Sequence, residues 1–127
     1  MMDFKISLAQ VLNLGFAKNG TGHWWLQRVT AVLLIPLSFF VIRLFDVCLT
    51  ASYQQTVDWF ASPINTIGIV AWLLAVFYHA ALGLQVVIED YVANPGIKTM
   101  SVWSVNMVFL LLGVAALVAV FRIVSVG

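Results

Sequence analysis

PINTIGIVAWLLAVFYHAALGLQVVI, residues 63–88, is the stretch on which the fold turns. It holds no Asp, Glu, Lys or Arg. A bilayer's hydrocarbon core is about 30 Å thick, and about 20 mostly apolar residues cross it as a helix. Residues 63–88 therefore read as a membrane-spanning helix.

The rest of the chain agrees. Of its 127 residues, 63% are hydrophobic and only 9% are charged, with a mean hydropathy of +1.05. Ordinary soluble domains are about 45–50% apolar and about 25% charged. A soluble fold has too little interior to hide so much apolar surface, so lipid must solvate much of it. Two further spans are expected at 27–46 and 102–124. The joining segments 47–62 and 89–101 are short, so consecutive helices should be antiparallel neighbours. The expectation is an all-α integral membrane protein: three transmembrane helices, up and down, in one domain over residues 1–127. Ahead of them, Phe4, Leu8, Val11 and Leu12 fall at helical spacing and suggest a short amphipathic segment.

Local signals mark the boundaries. Ser62-Pro63 offers a capping hydroxyl followed by proline at the first helical position. Asn94-Pro95-Gly96 reads as a turn, with Ser101 expected to cap the third span. Trp24, Trp25, Trp59 and Trp103 lie near span ends, where indoles favour the headgroup region. Pro36 lies inside the first span and should kink it. Lys5, Lys18, Arg28 and Lys98 fall on one side, against Arg43 and Arg122 on the other. That bias places the N-terminus in the cytoplasm. Residues 1–28 contain no apolar signal-peptide core, which favours a bacterial inner-membrane protein inserted through its own helices.

Several function classes drop out. A net charge of +1 gives no field for nucleic acid. One cysteine, Cys48, excludes an internal disulfide and a multi-thiolate metal site. No zinc spacing, serine nucleophile with a base, phosphate loop or flavin motif is present, so covalent or hydrolytic catalysis has no candidate constellation.

Polar groups inside a span are expensive and so draw attention first. The second span contains His79 and runs into Glu89-Asp90-Tyr91. His79 and Asp90 are 11 residues apart, nearly three turns, so they share a face at an axial separation of ~16 Å. That puts His79 near the membrane midplane and Asp90 at its rim. Ala75 and Gly83 flank the histidine one turn either way, leaving a gap that suits either a porphyrin or close helix packing. As the one histidine inside the spans, His79 supplies one axial ligand at most. Tyr91 and Asp90 suit a quinone carbonyl or plain interfacial anchoring; Arg28 suits a propionate or a cytoplasmic flank.

Two strings then carry a resemblance. Leu14-Gly15-Phe16-Ala17-Lys18-Asn19-Gly20-Thr21-Gly22-His23-Trp24-Trp25-Leu26-Gln27-Arg28-Val29-Thr30-Ala31, followed by Pro36, is one. Tyr78-His79-Ala80-Ala81-Leu82-Gly83-Leu84-Gln85-Val86-Val87-Ile88-Glu89-Asp90-Tyr91-Val92 is the other. Both resemble the hydrophobic membrane-anchor subunits of bacterial succinate dehydrogenase, in particular the D-type. The resemblance covers nearly the whole chain and is merely hydrophobic in the third span.

It implies that His79 is an axial ligand of haem b, shared with a histidine of a larger cytochrome b anchor subunit. It further implies that Tyr91 hydrogen-bonds ubiquinone, that Asp90 supports that site by holding a partner's arginine, and that Arg28 lies by the haem propionates. His23, Trp25 and Gly83 would be accessory. The implied partners are a flavoprotein subunit that oxidises succinate, an iron–sulfur subunit and the lipid bilayer. The chain itself would be a subunit with no dehydrogenase chemistry alone. Alternatives left open are a fumarate reductase anchor, a small oligomeric transporter and a non-redox membrane subunit. The transporter is disfavoured because Asp and Glu occur only at span ends.

Overall fold

The computed structural model describes residues 20–126. It contains four helices: α1 (Gly20–Thr50), α2 (Tyr53–Ala61), α3 (Pro63–Tyr91) and α4 (Pro95–Val126). No strand occurs among the described residues. Helices α1, α3 and α4 are each long and apolar enough to cross a membrane. The amphipathic segment expected before the first span lies outside the described residues.

Each long helix runs past its apolar stretch. α1 has 31 residues, α3 has 29 and α4 has 32. At about 1.5 Å per residue, α3 alone reaches roughly 44 Å, so its ends extend beyond the hydrocarbon.

Two boundary expectations need correction. Ser101 is not a cap; it lies inside α4. Asn94 caps that helix instead, its Oδ1 accepting from the amides of Gly96 at 2.9 Å and Ile97 at 3.2 Å. Pro95 is the first helical residue, where a missing N–H costs nothing. Ser62 does precede α3 with Pro63 at its start, but its hydroxyl makes no capping bond. Its carbonyl accepts from the Thr66 amide at 3.0 Å, while Asn65 Nδ2 reaches back to the Trp59 carbonyl at 3.0 Å.

The 47–62 segment is also more ordered than a loop. Ser52 and Gln55 form a reciprocal capping box that starts α2. In it, Ser52 Oγ accepts from the Gln55 amide at 3.3 Å and Gln55 Oε1 accepts from the Ser52 amide at 2.9 Å. α2 buries Val57 and Phe60 at the far end of the molecule. Helix α1 continues through Pro36, whose position deprives the Val32 carbonyl of its helical donor.

The long helices form a row. α3 packs on α1 along one side and on α4 along the other; α1 and α4 do not approach each other, and α2 touches all three. Phe60, Ile69 and Val120 make the small buried core, with Phe40, Val41, Leu44 and Leu73 packed around it. Trp72 Nε1 donates to Ser38 Oγ at 3.2 Å, a polar tie between α1 and α3. Most large apolar side chains face outward, as lipid solvation or subunit contact requires.

Candidate functional site

His79 lies two residues from the middle of α3 and points at α1. Its Nδ1 is 2.9 Å from Thr30 Oγ1, and its Nε2 is 3.4 Å from Gln27 Nε2. Gln27 and Thr30 are three residues apart on α1, so they share the face that meets the histidine. Thr30 is buried, and its hydroxyl donates back to its own helix, reaching the carbonyls of Leu26 at 2.7 Å and Gln27 at 3.0 Å. Gln27 Oε1 is buried without a hydrogen-bond partner. A buried polar atom left so costs roughly 1–3 kcal/mol.

Gly83 takes its meaning from the same side chain. A Cβ at residue 83 would stand 3.5 Å from Gln27 Nε2. The gap read from the sequence therefore opens toward α1, and Gln27 lies across it.

The rim holds a second group of residues. Gln85 Nε2 donates to Glu89 Oε1 at 2.8 Å, one turn along α3. Both line a cavity of about 540 Å³ together with Tyr78, Lys98, Asn106 and the buried His23. Lys98 and Glu89 share this cavity without pairing; the ion pair among the described residues is Arg43–Asp46 at 3.0 Å. Asp90 and Tyr91 close α3 on its outer side, and Tyr91 is 85% exposed. Arg28, next to Gln27 on the exposed side of α1, places its guanidinium over the Trp24 ring, 5.3 Å from the centroid. Trp25 is exposed beside it.

The candidates thus fall into two separate places. His79 and Gly83 meet Gln27 between α1 and α3, with Arg28 and Trp25 exposed on α1 close by in sequence, whereas Asp90 and Tyr91 present themselves outward at the end of α3. His79 and Asp90 share a face of α3 but stand ~16 Å apart along it. Sequence reading missed Thr30 and Gln27, although polar residues at a helical spacing of three within an apolar span were a usable signal. It also missed Lys98 and Asn106 as cavity residues.

Comparison with known proteins fits this arrangement. Residues 2–121 match the model of the succinate dehydrogenase/fumarate reductase transmembrane subunit. The chain is 36% identical over 120 residues to a succinate dehydrogenase hydrophobic membrane anchor subunit of Rickettsia bellii, covering 94% of this chain and 95% of that one. It is 32% identical over 119 residues to the protein of the same name in Rickettsia prowazekii, again covering 94% and 95%. A succinate dehydrogenase membrane anchor subunit of Reclinomonas americana is 34% identical over 96 residues, 72% of this chain and 78% of that one. No solved structure was found to match. The chain belongs to the transmembrane subunits of succinate dehydrogenase and fumarate reductase. Its place in that family is the membrane anchor, a subunit without dehydrogenase catalysis of its own.

Proposed function

We propose that this chain contributes one axial ligand of haem b and one edge of a ubiquinone site to a succinate:quinone oxidoreductase of the bacterial cytoplasmic membrane. In this reading its N-terminus is cytoplasmic. Its partners are a flavoprotein subunit, an iron–sulfur subunit and a larger cytochrome b anchor subunit that supplies the second axial histidine.

The observation that carries the reading is His79, an imidazole held at mid-span in an apolar helix pair. Its surroundings fit the group. The Nε2 contact with Gln27 is long at 3.4 Å, so a stronger partner for that nitrogen displaces little. When bound, haem b supplies a one-electron relay between an iron–sulfur donor and quinone.

The remaining steps belong to the chain's own residues. His79 ligates from the middle of α3. Arg28, now stacked on Trp24 beside Gln27, would hold a propionate. Tyr91, exposed at the end of α3, would hydrogen-bond a quinone oxygen, and Asp90 would hold a partner's arginine beside it. His23, Trp25 and Gly83 are accessory, Gly83 by leaving space beside the histidine.

Purification of the intact complex, mass identification of its chains and a reduced-minus-oxidised spectrum test the reading. The expected result is a haem b band that disappears in His79→Ala while the subunits still co-purify. An unchanged band in that variant would overturn it.

A further inference from the structure

We infer that Thr30 is a positioning residue for His79, fixing the imidazole in the tautomer that carries hydrogen on Nδ1 and leaves Nε2 bare toward the iron. This deepens the reading of His79 as a haem ligand and rests on it. The argument is a count of hydrogens. Thr30 Oγ1 has one, and the carbonyls of Leu26 and Gln27, at 2.7 and 3.0 Å, are acceptors only. Both contacts need that hydrogen, so Oγ1 turns only lone pairs toward His79 Nδ1 at 2.9 Å. The proton between them belongs to the ring.

The other nitrogen is compatible with this assignment. Nε2 faces the amide nitrogen of Gln27, a donor, at 3.4 Å. A hydrogen on Nε2 would set donor against donor; a lone pair there accepts. The Thr30 contact thus selects one tautomer, and it leaves the lone pair on Nε2, the nitrogen that would coordinate.

The threonine is itself held firmly. It is buried, its hydroxyl is tied to its own helix, and its β-branch restricts χ1. Ligating histidines generally donate their second ring N–H to an acceptor that fixes orientation and raises ligand basicity. Here the acceptor is a hydroxyl one helix away, so the relative placement of α1 and α3 sets the angle of the ring.

The test uses the intact complex with Thr30→Val, which keeps the shape and removes the hydroxyl, and Thr30→Ser, which restores it. Loss of such an outer partner typically weakens metal affinity by about 10–100-fold. Thr30→Val should therefore release haem to a haem-free acceptor protein far faster than the wild type. Its haem midpoint potential should move positive, because a less basic imidazole stabilises ferric iron less. Thr30→Ser should return both towards wild type. Wild-type potential and retention in Thr30→Val would overturn the inference, and so would a serine variant as impaired as valine.

If Thr30→Val does not assemble, Thr30→Ala takes its place under the same outcomes. Independently, the Nδ1 hydrogen of His79 in the reduced wild-type complex should exchange slowly by nitrogen-edited NMR; fast exchange would count against the bond. Failure of the parent reading looks different. In that case the wild type lacks haem, or His79→Ala leaves it unchanged. A haem that depends on His79 and ignores Thr30 removes this inference alone.

Discussion

The ring of Phe40 lies directly over Gly68, so close that a methyl group at residue 68 would overlap its carbons. Gly68 is buried and sits one turn before Trp72, whose indole reaches Ser38 on α1. The two helices therefore meet through an aromatic ring seated on bare backbone, with a hydrogen bond beside it. Without a hydrophobic drive between helices in lipid, such close packing is a main source of association.

Gly68→Ala should force Phe40 aside and loosen the α1–α3 pair. Overpacking of this kind costs about 1–3 kcal/mol. Thermal unfolding of the complex in detergent should show a lower midpoint, lower again for Gly68→Val. An unchanged midpoint would mean that the ring rotates away freely.

Trp72→Phe deletes the donor to Ser38 and leaves the Ser38 hydroxyl bonded to the Leu34 carbonyl at 2.6 Å. The expected loss is about 0.5–1.5 kcal/mol. A double-mutant cycle with Ser38→Ala isolates the pair, and a coupling near zero would show that the contact carries nothing.

Asn94→Ala removes the side chain that satisfies the first amides of α4. Helix caps of this type are worth about 0.5–2 kcal/mol. Hydrogen exchange at Gly96 and Ile97 should quicken in the variant, whereas Asn94→Asp should stay close to wild type. Equal exchange in all three would place the start of α4 under other control.

Tyr91→Phe addresses the proposed quinone contact. With one hydrogen bond lost at the head group, quinone reductase activity should fall roughly two- to tenfold. Succinate oxidation with an artificial acceptor should be unaffected, since Tyr91 stands outside any dehydrogenase chemistry. An undiminished quinone rate would remove the phenol from the site.

The spans were legible because hydropathy is a one-dimensional signal: residues 63–88 carry no formal charge and sit within α3. Helix ends were less so, because hydropathy marks where lipid begins and not where the backbone stops being helical. The sequence suggested a turn at Asn94 and a cap at Ser101, and the folded chain caps α4 with Asn94. The capping box of Ser52 and Gln55 was present to be read, yet the segment between two spans was taken as plain connection.

For the candidate site, periodicity located His79 at mid-span but not its neighbours. Which face of α1 meets α3 depends on packing such as Phe40 on Gly68, and that choice brings Thr30 and Gln27 to the imidazole.

The row-like order of the long helices has a consequence for biosynthesis. Both hydrogen-bonding neighbours of His79 come from α1, and the α1 backbone does not pack on that of α4. Once Tyr91 has left the ribosome, the first hairpin can close and the histidine's immediate polar setting is already assembled. The final helix joins a structure whose central feature was finished before it emerged.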